Sequence, residues 1–212
     1  EAREQQLRQE RQQEDLTRRT IQQADVRLFL NQNNSLSLFY KDTEITKCCG
    51  LQTSVLSQGV WYNQADSQVE IERPGPAEML IRLHHRRLPL VVTWQCRLSG
   101  QGVLEWNAGA VITAPLRLDR RNASLMVSKV YTQWSAFPQK GAFPAMFSGQ
   151  WQGMNNPQES PDFIALLPSS GQLPGIVFKD MHEPRSLLLV QNTDASLSSR
   201  VLEAQVEEAS EQ

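Results

Sequence analysis

From residue 25 onward, apolar and polar positions alternate with a period of two. Val26, Leu28 and Leu30 interleave with Arg27, Phe29 and Asn31, and Leu36, Leu38 and Tyr40 with Ser35, Ser37 and Phe39. The same rhythm returns at 69–72, 79–84, 91–98 and 112–118. Such alternation aims one set of side chains at a core and the other outward, so these stretches are predicted strands. Asn33-Asn34, Gln58-Gly59, Pro74-Gly75-Pro76 and the segments 99–102 and 119–122 fall between apolar runs and read as turns. Roughly eleven or twelve strands are expected between 25 and 203. One open sheet does not hold that many, so the predicted fold is all-β, a large two-sheet antiparallel β-sandwich. Neither a GxGxxG motif nor a strand–helix–strand rhythm occurs, which disfavours a parallel α/β sheet.

The two ends differ from the middle. Residues 1–24 lack Gly and Pro and are dominated by Gln, Glu and Arg, so a charged helix is predicted. Its apolar residues Leu7, Leu16 and Ile21 fit no heptad seam. Glu4–Arg8 and Glu14–Arg18 are i,i+4 pairs of the favourable orientation. A helical spacer is the expectation, with a protein partner docked on 1–24 as the alternative. The end, from Glu203 and through 204–212, is acidic, lacks an apolar face and is predicted to fray. The stretch 135–175 is rich in Pro and Gly, which interrupt ladders. It also carries Phe137, Phe143, Met146, Phe147, Trp151 and Phe163, so an ordered loop pinned by its rings is predicted.

Composition narrows the function classes. Apolar residues make up 40% and charged residues 21%, enough for a packed core. The net charge of −2 removes the cheapest support for nucleic-acid binding. No apolar run is long enough to cross a bilayer, so no transmembrane segment is expected. The chain opens on Glu1 with no basic start and apolar run, so a processed or excised piece is expected and no compartment is assigned.

Few residues suggest bond-making chemistry. Three cysteines do not make a disulfide scaffold, and adjacent Cys48 and Cys49 strain the peptide they would bridge. Cys96 falls on the inward face with Trp94, as a packing thiol. His84 and His85 alternate across a strand and do not share a metal, and His182 stands alone. Neither metal nor cofactor is predicted. Arg86 and Arg87 suit an anionic ligand. The candidate carboxylates Asp66, Glu70, Glu72, Glu105, Asp162, Asp180 and Glu183 form no recognisable catalytic pair. Asn33-Asn34-Ser35 and Asn122-Ala123-Ser124 match the glycosylation pattern at turn-like positions.

The aromatic residues lead further. Trp61, Tyr62, Trp106, Tyr131 and Trp134 have polar neighbours such as Asn63, Asn107 and Gln133. Apolar platforms with a few polar groups are what a ligand cleft requires, and sugar rings offer C–H faces to such surfaces. Packing of the same rings in a sandwich core is the competing expectation.

The segment 36–72, with its Tyr40-Lys41, Glu44-Ile45-Thr46-Lys47 and Gly59-Val60-Trp61-Tyr62 steps, resembles a β-sandwich module of bacterial carbohydrate and surface-polysaccharide proteins. Leu104-Glu105-Trp106-Asn107, 130–134 and 191–202 are similar to later parts of that module. The resemblance implies a galactose-mutarotase-like supersandwich over about 30–206 and carries no catalytic residues. Where the module has a glycine after its Thr-Lys step, this chain has Cys48 or Cys49.

Three functions are thus expected, in order. The first is a non-catalytic carbohydrate-binding module using Trp61, Tyr62, Trp106, Tyr131 and Trp134 for oligosaccharide, with Arg86 or Arg87 for acidic sugars. The second is a structural or assembly domain docking a partner through its helix. The third is a sugar-modifying enzyme with carboxylates on the sheet face.

Overall fold

The computed structural model describes residues 2–159, 161–181 and 186–207. Among them, helix α1 (Ala2–Arg18) precedes eighteen strands. These are β1 (Thr20–Gln23), β2 (Val26–Leu30), β3 (Leu36–Tyr40), β4 (Thr43–Glu44), β5 (Thr46–Ser57) and β6 (Val60–Asn63). Next come β7 (Ser67–Gly75), β8 (Glu78–His85), β9 (Leu90–Leu98), β10 (Leu104–Ile112), β11 (Arg120–Ser128) and β12 (Tyr131–Ala136). The last are β13 (Gln139–Ala142), β14 (Gln152–Gly153), β15 (Ile164–Pro168), β16 (Ile176–Phe178), β17 (Leu187–Asn192) and β18 (Ser199–Glu207). The fold is all-β, built of stacked antiparallel sheets with one N-terminal helix, as the alternation predicts. No helix among the described residues is long and apolar enough to cross a membrane.

The chain packs as two compact units, each made from two segments. One combines Glu1–Lys41 with Gln64–Pro115, the other Asp42–Asn63 with Leu116–Gln212. In the first, β1, β2 and β3 form an antiparallel meander, and β7 to β10 form a four-stranded antiparallel sheet in chain order. Ile21, Leu28, Leu30 and Leu36 of the meander are buried, as are Met79, Ile81, Leu83, Val92 and Trp94 of the sheet. Each such side chain contributes about 1.5–3 kcal/mol on leaving water.

Helix α1 stops six residues short of the expected boundary. Thr20 and Ile21 are β-branched, Ile21 is buried, and 20–23 pair with β2 instead of continuing the helix. Arg73 of β7 holds the helix end. Its Nη1 donates to Thr17 O at 2.7 Å and to Thr20 O, its Nε to Glu78 O at 3.1 Å and its Nη2 to Pro76 O at 2.7 Å. The Glu4–Arg8 pair lies outside the described side chains.

In the second unit, β6, β5, β11, β18, β17 and β14 lie side by side, all antiparallel. A smaller sheet runs β13-β12-β15-β16. Val55, Leu125, Val127, Leu188, Val190 and Leu202 of the larger sheet are buried, as are Tyr131, Ala136, Ile164 and Leu166 of the smaller.

Four expectations are corrected in detail. Residues 113–119 form no strand, since β10 ends at Ile112 and Pro115 follows. The expected turn at 119–122 is the start of β11, which pairs on both sides. The stretch 135–175 is not a bare loop, because it supplies β13, β14 and β15. Residues 203–207, expected to fray, belong to β18: all five pair with β11, and 203–205 pair with β17 as well; 208–212 lie outside the described residues.

Candidate functional site

The face of the larger second-unit sheet opposite its core carries polar side chains in register. Gln52 of β5, Ser124 of β11 and Glu203 of β18 face one another along one row. Ser54, Asn122 and Gln205 form the next row. Met126 and Val201, with Gln191 beside them, form a third, less polar row. These residues, with Arg120 and Leu189, line a cleft of about 480 Å³. Trp61 on β6 borders it at one edge, and Trp151, directly before β14, at the other. Trp61 is 47% and Trp151 51% exposed, whereas Trp94 is fully buried and Trp106 and Trp134 are partly so. The two indoles most open to solvent are therefore the two that flank the cleft.

The floor has a specific electrostatic character. Burial pushes the Glu203 carboxyl up from its usual value, against the opposing effects of a hydrogen bond from Asn122 and the nearby charge of Arg120. Asn122 is only 8% exposed, and its Oδ1 has no hydrogen-bond partner. An unpartnered buried acceptor costs about 1–3 kcal/mol, which a ligand donating a hydrogen bond offsets. Arg120 and Glu203 are the one cation and the one anion among the described lining residues.

Of the seven residues expected to bind ligand, Trp61 alone lines this cleft. Tyr62 pairs with Val55, whose side chain is core, so alternation turns it away from the cleft. Tyr131 is corrected outright: it is 0% exposed, its hydroxyl donates to Pro174 O at 3.1 Å, and burial pushes its pKa up to about 12. A ring enclosed in this way offers no platform. Trp134 is partly buried and packs over Gly141, where a Cβ atom would come within 3.4 Å of the indole. Trp106 belongs to the first unit and meets Trp94 edge-on at 5.7 Å and 83°, a packing contact. Arg86 and Arg87 are also in the first unit; both are exposed, and Arg87 pairs with Asp66 at 2.9 Å.

Other candidates have structural surroundings. His84 Nε2 lies 3.4 Å from Glu70, and burial lowers the pKa of His85. Glu72 pairs with Arg82. No group of three or more metal-ligating side chains occurs among the described residues; His182 and Glu183 lie outside them. Cys48 is exposed on a bulge of β5, with Sγ 3.1 Å from Leu197 O. Cys96 is buried, and its thiol is pushed up to about 12. Asn122 of the second glycosylation pattern is inside β11 rather than at a turn, which buries its amide.

Sequence reasoning missed Gln52, Ser54, Glu203 and Gln205 as site residues, read Asn122 and Ser124 only as a glycosylation pattern and read Trp151 only as a loop ring. The available signal was polar alternation at Arg120, Asn122 and Ser124, and at Glu203 and Gln205. No family model matches this chain, and no curated protein or solved structure matches it either.

Proposed function

We propose that this protein is a non-catalytic glycan-binding module, with its ligand held in the cleft between Trp61 and Trp151. The observation that carries this reading is the combination of two half-exposed indoles with a polar floor that keeps the Asn122 oxygen unpartnered. Large apolar rings left in water are unfavourable unless something covers them. Sugars meet both demands at once: their C–H faces cover indoles and their hydroxyls donate to buried acceptors. Among the described residues Glu203 is the single carboxylate lining the cleft, so they supply no pair of carboxyl groups for glycoside hydrolysis. Binding, rather than bond cleavage, is the chemistry this arrangement supports.

An immobilised-glycan array tests the reading, with the full chain and its Trp61→Ala and Trp151→Ala variants applied side by side. The wild-type chain is expected to be retained on a subset of glycans and each variant to be depleted there. Absence of wild-type retention on hexose, hexosamine and uronate chains alike refutes the function.

A further inference from the structure

We infer that the cleft takes an extended, uncharged run of several sugar units laid across the strands, one ring against Trp61 and another against Trp151; this rests on the glycan-binding reading. The register supplies the length. Trp61 stands on β6 and Trp151 adjoins β14, with β5, β11, β18 and β17 between. Five strand spacings amount to about 24 Å across the sheet, and the pairing sets Trp61 level with Arg120 and Trp151 near the Ser128 end of β11, so the path between them runs obliquely. A single pyranose ring cannot touch both indoles, whereas a chain of rings crosses the polar rows and reaches both.

Charge supplies the second part. Arg120 and Glu203 are close enough for the arginine charge to act on the carboxyl, so the described lining residues carry one balanced pair. An acidic sugar would meet Glu203 without a surplus cation, because Arg86 and Arg87 are not among the lining residues. The Glu203 carboxylate and the unpartnered Asn122 Oδ1 call instead for donors, which neutral hydroxyls and acetamido N–H groups provide.

The test is calorimetric titration of the full chain with neutral oligosaccharides of one to eight units and with the matching uronate series. Affinity for the neutral series is expected to climb with length and then level off. Engagement of the second indole should give about tenfold, equivalent to about 1.4 kcal/mol. Trp61→Ala and Trp151→Ala should each flatten that climb. A monosaccharide binding as tightly as the octamer, or uronates binding as tightly as neutral chains, overturns the inference while leaving glycan binding intact. If no member of either series binds, the glycan reading itself falls. A dimer lost in Trp61→Ala would then identify the face as a contact between two copies of this chain.

Discussion

Replacing two buried asparagines of the second unit by leucine separates a side chain held open for a ligand from one committed to the fold. Asn122 donates to Glu203 and leaves Oδ1 without a partner. Asn192 is 0% exposed and uses its whole amide: Nδ2 donates to Pro144 O at 3.2 Å and to Gln152 Oε1 at 3.0 Å, while Oδ1 accepts from Arg200 Nη1. Leucine keeps the branching at Cγ but is larger: at Asn122 the extra bulk extends into the cleft, whereas at the enclosed Asn192 it adds an overpacking cost of about 1–3 kcal/mol. Asn122→Leu forfeits one hydrogen bond to a carboxylate, about 1.5–3 kcal/mol, and relieves an unpartnered buried oxygen, about 1–3 kcal/mol. The two terms nearly cancel, leaving a net change between about −1.5 and +2 kcal/mol. Asn192→Leu strips an acceptor from the buried Arg200 guanidinium, which stacks over Phe143 at 4.4 Å, and removes the donor from two further oxygens. Its cost is above about 3 kcal/mol. Urea unfolding followed by circular dichroism gives both values from the midpoints, provided the slopes match. An Asn122→Leu loss as large as that of Asn192→Leu would show that the Asn122 oxygen is engaged in the ligand-free fold, and the reasoning for the cleft would fail.

Three further outcomes follow from the geometry. Burial raises the Glu203 pKa in the folded state, so its contribution to stability is complete below the unfolded carboxyl value near about pH 4 and is lost as pH rises through the folded value. Glu203→Gln should thus gain stability relative to wild type on going from pH 4 to neutral pH, and an offset independent of pH in paired urea titrations would refute the cause assigned. Native-state labelling with a thiol reagent should modify Cys48 first, Cys49 more slowly because burial raises its pKa, and Cys96 only on unfolding. Prompt reaction of Cys96 would contradict its placement in the core. Arg73→Ala should cost about 1–3 kcal/mol and lower the helical circular dichroism signal by releasing the end of α1, and an unchanged signal would show that the helix does not depend on that guanidinium.

The sheet content was legible because burial repeats every second residue wherever one face is apolar. Val26, Leu28 and Leu30, and Met79, Ile81 and Leu83, announce themselves in this way, and all are buried. The cleft was much less legible. Its floor is polar, so Glu203 and Gln205 resemble an acidic tail and Arg120 and Asn122 a turn. Only pairing on both sides, a non-local property, reveals them as central strands. Tryptophan identity likewise does not tell exposure. Trp61 and Trp151 are open, while Trp94 sits in the core, because strand register and neighbouring elements, rather than local sequence, decide which rings stay covered.

The indole region of a nitrogen–proton correlation spectrum addresses the central claim most directly, since the chain has five tryptophans and each contributes one signal. Assignment by single Trp→Phe replacement, then titration with a neutral oligosaccharide, should move the Trp61 and Trp151 signals together and leave those of Trp94, Trp106 and Trp134 in place. Movement confined to Trp106 or Trp134, or no movement at saturating sugar, would contradict the account.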